Sequence, residues 1–111
     1  MPKSPNDRLQ GTLDLLILKT LAREGSLHGY AIARQIHQWS AETLRIEDGS
    51  LYPAMHRMVQ DKWLKAEWGK TETNRRVRFY SITAAGRKQL QEEERRWESL
   101  TGAVARVLGP A

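Results

Sequence analysis

The stretch EDGSLYPAMHRMVQDKWLKAEWGKTETNRRVRFYSIT, Glu47 to Thr83, changes its hydrophobic period halfway along, and that change decides the fold. In its first part Leu51, Met55, Met58 and Val59 recur at helical spacing and predict a helix with one inner face. Ser50 is placed to cap this helix, which puts Pro53 in the first turn, where a missing N–H costs little. From Leu64 the pattern alternates, with Leu64, Ala66 and Trp68 set against Lys65 and Glu67. GKTETN supplies turn formers, and RRVRFYSIT is rich in β-branched and aromatic residues, so the second part predicts a two-stranded hairpin.

Upstream, HGYAIARQIHQWS predicts a helix that begins after the turn Gly25-Ser26-Leu27. Ile32, Ile36 and Trp39 form its inner face, with Tyr30, Arg34, Gln35 and Gln38 pointing away. His28, just before Gly29, suits a turn or cap better than a metal site. An earlier helix, starting near Leu9 and stopped by Gly25, carries Leu13, Leu16, Ile17 and Leu21 on one face and Leu15 and Leu18 on another. A helix apolar on two sides is expected to be central or to meet a second subunit, with Asp14 and Lys19 as its polar edge. Downstream, Thr83 is placed to cap a long last helix. Leu90, Trp97 and Val104 recur every seven residues there, Leu100 and Val107 fill the alternate positions of a heptad, and Glu93 interrupts the seam. Glu92 is expected to pair with Arg96 on its solvated side.

The resulting class is mainly α with a small β-hairpin, in the order α-α-α-β-β-α of a winged helix-turn-helix. It divides into a flexible leader over 1–8, a winged-helix domain over 9–83 and a C-terminal dimerisation helix over 84–111. A chain of 111 residues leaves room for one domain plus an accessory helix, not for a two-domain enzyme. With no cysteine there are no disulfides, thiolate metal sites or cysteine nucleophiles. His28, His37 and His56 make no HExxH pattern, and there is no phosphate loop or GxSxG elbow, so neither catalysis, metal nor cofactor is expected. The longest apolar run, Leu15 to Leu18, is far below the ~20 residues of a membrane span. A cytoplasmic protein with no membrane partner is expected.

The net charge of +5 and pI of about 9.9 favour an acidic partner. Most of the excess is spread along the chain. The exception is the hairpin, where Lys70, Arg75, Arg76 and Arg78 fall within nine residues that contain one acid, Glu72. An arginine-tipped arm suits the phosphate backbone or a narrow minor groove. In a helix-turn-helix the second helix presents its N-terminal residues to the major groove, here Ser50, Tyr52, Pro53, His56, Arg57 and Gln60. Ser50 and Tyr52 can donate to phosphate, and Arg57 can pair with phosphate or guanine. The plain alternatives are a solvated helix face and a hairpin charged for solubility, which would make this a winged-helix protein-interaction module without DNA binding. Trp97 has two readings as well: simple packing, or one half of a slot between two subunits that sandwiches a planar aromatic molecule.

Four segments in order, LQGTLDLLILKTL, HGYAIARQI, GSLYPAMHRM and FYSITAAGRK, make the chain resemble the PadR family of transcriptional regulators from Leu9 onward. The resemblance implies a bacterial or archaeal homodimer, joined by the last helix with help from the first, that binds double-stranded DNA at an inverted-repeat operator and usually represses. Carried over by position, Tyr30, Ser50, Tyr52, Pro53, Arg75 and Arg76 fall where such regulators touch DNA, and Arg57 and Lys70 join them from the residue chemistry. The expected subunit interface is Leu13, Leu16, Ile17, Leu90, Trp97, Leu100, Val104 and Val107. Trp97 matches a position where some relatives stack planar drugs. Lys62 and Asn74 stand where glycines are common, and because lysine tolerates positive φ poorly, a differently shaped helix exit is expected at Lys62. A single helix after the wing resembles the compact subgroup.

Overall fold

The helix and hairpin expected from Glu47 onward are both present in the computed structural model, which describes residues 5–109, with side chains from residue 11 onward. The elements are α1 (Pro5–Glu24), β1 (Leu27–His28), α2 (Gly29–Trp39), α3 (Asp48–Gln60), β2 (Leu64–Lys70), β3 (Arg76–Ile82) and α4 (Ala84–Leu108). This is the winged-helix order, mainly helical, with one addition. The hairpin of β2 and β3 gains a third antiparallel strand, β1, giving the order β1-β3-β2. Leu27 pairs with Tyr80 and His28 with Phe79, so the segment read as a plain turn ties the start of α2 to the sheet. Of the leader expected over 1–8, residues 1–4 lie outside the described residues, and α1 is described from Pro5, four residues before Leu9.

The core lies where α1, α2 and α3 meet one face of the sheet. Ile17, Leu18 and Leu21 of α1 are buried against Ile32 and Ile36 of α2, Leu51, Met55 and Met58 of α3, and Leu64 and Tyr80 of the sheet. α1 is therefore the central helix: Leu18 from its second apolar side is buried within the chain, while Leu13, Leu15 and Leu16 stay half-buried. Side chains this deep contribute about 1.5–3 kcal/mol each from apolar burial.

Two expectations about α3 are corrected. Its cap is Glu47, in extended conformation, whose carbonyl accepts from the N–H groups of Ser50 and Leu51. Ser50 thus lies inside the helix and is not the cap. Pro53 becomes the sixth helical residue, and its missing N–H leaves the carbonyl of Gly49 to solvent, an arrangement tolerated because Gly49 is exposed near the helix end. At the other end Lys62 adopts φ +66°, the conformation expected of glycine. Its N–H bonds to the Val59 carbonyl and that of Trp63 to the Met58 carbonyl, at 3.0 and 2.9 Å. The exit thus keeps the shape a glycine would give it, because these two bonds satisfy carbonyls that otherwise lack partners.

Thr83 caps α4 as expected, accepting from the Gly86 N–H at 2.9 Å. The same hydroxyl reaches the Lys62 carbonyl at 2.7 Å, and the Thr83 N–H donates to the Trp63 carbonyl at 3.0 Å. Gly86 lies so close to that carbonyl that a Cβ would overlap it. The end of α3 and the start of α4 are therefore one joint. Farther along α4, Arg96 pairs with Glu93 and not with Glu92, which pairs with Arg95.

Candidate nucleic-acid interface

The N-termini of α2 and α3 and the tip of the β2–β3 wing converge on one groove of about 810 Å³. The α2 side is built by His28, whose Nδ1 accepts from the Ala31 N–H at 3.4 Å and whose ring meets Phe79 edge-on at 5.7 Å. Gly29 follows with no room for a side chain, because Tyr52 of α3 lies against it. Tyr30 then projects into solvent one turn before Arg34. The wing tip is organised by Thr71: its N–H donates to the Arg75 carbonyl, its carbonyl accepts from Asn74, and its hydroxyl accepts from the Arg75 N–H at 3.1 Å. Asn74 turns the chain at φ +62°.

Tyr30, Tyr52, Lys70 and Arg75, expected as contact residues from separate parts of the sequence, all line this groove. Arg34 joins them, and its position one turn after Tyr30 was the signal that could have shown it. Asp48 and Glu72 are also on the lining, so the groove is mixed in charge. Burial and the nearby Asp48 carboxylate raise the Tyr52 phenol above its usual pKa, while Arg75 acts in the opposite direction. The phenol therefore remains a hydrogen-bond donor at neutral pH. Ser50 and Pro53 are exposed on α3 but do not line the groove. Arg76, the first residue of β3, points to the sheet face opposite the groove-lining Val77 and Phe79, where its guanidinium lies 4.6 Å from the Trp68 ring centre.

Arg57 is turned toward the core. Its Nη2 donates to Oδ1 of Asp14 at 2.6 Å, and its Nη1 stands 3.9 Å from Asp61. Beside the base- or phosphate-reading role expected of it, Arg57 serves the scaffold, because buried Asp14 needs a charged donor. Burial raises the Asp14 carboxyl above its usual range, and the hydrogen bond and charge of Arg57 pull it back in part.

The expected subunit interface also divides. Ile17 and Leu90, at 0% and 6% exposure, are consumed by the chain's own core and leave no surface for a partner. Leu13 and Leu16 are half-buried. Trp97, Leu100, Val104 and Val107 remain exposed along α4, Val107 at 86%, and Leu108 extends the same stripe. Among the described residues no group of acids and histidines could hold a metal ion, and no helix is long and apolar enough to cross a membrane.

The transcriptional regulator PadR-like family matches residues 17–92, more than half of the chain. Transcriptional regulator Rv3488 of Mycobacterium tuberculosis is 32% identical over 83 residues, covering 75% of this chain and 74% of that protein. Among solved structures, a transcriptional regulator from Clostridium thermocellum superposes with TM-score 0.78 at 31% identity, covering 88% of this chain and 94% of the other. A PadR family transcriptional regulator from Eggerthella lenta gives TM-score 0.76 at 28% identity, with 96% and 90% covered. The family and these relatives are transcriptional regulators and not enzymes, and the chain belongs to the PadR-like family of transcriptional regulators.

Proposed function

We propose that the protein binds duplex DNA as a homodimer and represses by occupying an inverted-repeat operator. In this reading the N-terminal half of α3 enters the major groove with Ser50, Tyr52 and Pro53, Tyr30 reaches the backbone beside it, and Lys70, Arg75 and Arg76 hold the flank. The observation that carries it is the convergence of Tyr30, Tyr52, Lys70 and Arg75 on one groove from three elements and the wing tip. The exposed stripe of Trp97, Leu100, Val104 and Val107 on α4 supports the dimer, since such a face is covered in a stable assembly. The two Trp97 side chains then meet near the two-fold axis, and a planar aromatic molecule between them relieves repression.

Selecting bound duplexes from a random pool tests the reading. The expected product is an inverted repeat with half-sites about 34–36 Å apart, one helical turn, and a reporter placed behind it falls silent when the protein is expressed. If nothing is enriched at low salt while the dimer is intact, the winged helix serves protein interaction instead. Quenching of tryptophan fluorescence by planar dyes, compared between wild type and Trp97→Ala, tests the ligand slot; equal quenching in both removes Trp97 from it.

A further inference from the structure

Trp68 is the most conspicuous side chain that the groove leaves unexplained. It is 61% exposed, on the wing, beyond the part of the sheet that covers the core. Register places it directly opposite Arg78, with Arg76 two residues away on the same strand, so these three side chains share the sheet face that farther along buries Leu64 and Tyr80. Both arginines lie over the indole, with guanidinium carbons 4.6 and 5.7 Å from the ring centre, and Arg78 also stands 6.0 Å from Tyr80. On the opposite face of β2, Lys65 and Glu67 neutralise one another at 2.9 Å. On the Trp68 face, by contrast, neither Arg76 nor Arg78 has an ion-pair partner among the described residues.

An exposed indole has little to gain from solvent, and two guanidinium groups gathered over it without a carboxylate repel one another. The arrangement is reasonable where a polyanion completes it. A guanidinium lying flat on a ring keeps its N–H edges free, and the ring restricts the side-chain motion that would otherwise be lost on binding. The geometry points to Trp68 as a positioning residue, a platform that holds Arg76 and Arg78 ready for the phosphates of duplex DNA flanking the operator, with its own exposed edge against the sugars. This inference rests on the DNA-binding reading and adds to it a second contact surface, on the sheet face away from Arg75.

The test compares two duplexes that carry the selected inverted repeat, one with about ten flanking base pairs on each side, a full helical turn, and one trimmed to the repeat. Trp68→Ala should weaken binding to the long duplex by about three- to tenfold, as loss of stacked cations implies, and leave the trimmed one unchanged. Its salt slope on the long duplex should fall although no charge has been removed. Trp68→Phe, which keeps a flat ring, should recover most of the loss, and Trp68→Leu should not. Arg78→Gln should imitate Trp68→Ala, and Tyr52→Ala should weaken both duplexes. Equal loss on both duplexes, recovery by leucine as good as by phenylalanine, or no loss at all would overturn the platform. A wild-type protein that binds neither duplex overturns the DNA-binding reading itself. Thermal unfolding of each variant shows whether the wing has stayed folded; a Trp68→Ala protein that binds weakly because it has unfolded, with Arg78→Gln binding normally, also refutes the role.

Discussion

Tyr52 occupies the space that a side chain on Gly29 would need: a Cβ there would lie 2.7 Å from the phenolic oxygen and 2.9 Å from the ring. The glycine of HGY and the tyrosine of SLYP, far apart in sequence, are therefore two halves of one contact between the starts of α2 and α3. Gly29→Ala forces Tyr52 out of place, and overpacking of this kind costs about 1–3 kcal/mol. The expected outcome is a modest fall in stability together with a loss of operator binding similar to that of Tyr52→Ala. Urea unfolding and duplex titration of both variants check it; a Gly29→Ala protein that binds like wild type would separate Tyr52 from the site.

Gly86 stands against the Trp63 carbonyl, and here the obstacle is backbone, which cannot swing aside. Gly86→Ala has to lever the start of α4 off the exit of α3 and should cost about 3 kcal/mol, at or above the upper end for overpacking. Ala85→Gly, one residue earlier on an exposed position, should cost about 1 kcal/mol or less from helix propensity alone. Chemical denaturation of the pair distinguishes a steric joint from an ordinary loss of helix.

Lys62 holds a left-handed conformation at φ +66° with a side chain that disfavours it. Lys62→Gly relieves that strain but loosens the unfolded chain, and the balance should stabilise the protein by about 0.5–1 kcal/mol. A rise in the unfolding midpoint with an unchanged denaturant slope is the expected measurement.

The Asp14–Arg57 pair links the central helix to α3, and Arg57→Ala leaves the buried carboxylate without its main donor. With the Arg57 side chain 31% exposed, a loss of about 2–3 kcal/mol is expected, below the full figure for a buried pair. Burial already raises the folded-state Asp14 pKa above its unfolded value, and removal of Arg57 takes away the effects that lower it. The folded state then binds the proton more tightly than the unfolded one, so this destabilisation grows as pH rises through the window between the two values and shrinks as pH falls below it. Stability of Arg57→Ala relative to wild type should therefore recover toward acid pH. Asp14→Asn combined with Arg57→Met should regain much of the loss at neutral pH. A pH-independent deficit would show that packing of the arginine stem, and not its charge, is what matters.

Leu90 and Val104 occupy the same heptad position in sequence, yet one is buried in its own chain and the other is exposed. Leu90→Ala should lower stability by about 2–5 kcal/mol, as for other core truncations. Val104→Asp should leave the fold intact and weaken self-association instead, since a carboxylate would be buried twice across a two-fold interface. Sedimentation and thermal unfolding read the two effects separately.

Much of this architecture is legible from periodicity, because local spacing reports which side of an element must leave water. Ile32 with Ile36, Leu51 with Met55 and Met58, and the alternation of Leu64 with Ala66 were enough to place two helices and the wing. Tyr30, Tyr52, Lys70 and Arg75, which share one groove, could also be singled out, since exposed polar and aromatic groups stood out against those inner faces. Strand β1 was not, because two residues carry no period; it exists only through its pairing with Tyr80 and Phe79. Nor was the helix start at Asp48, where the backbone bonds to Glu47 prevailed over the side-chain preference of Ser50. The pairing of Arg57 with Asp14 and the burial of Ile17 and Leu90 in their own chain are visible only in three dimensions. Sequence spacing shows that a side chain faces inward or outward from its own helix, but whether that direction leads to solvent, to a second subunit or to Asp14 depends on which element is packed across from it.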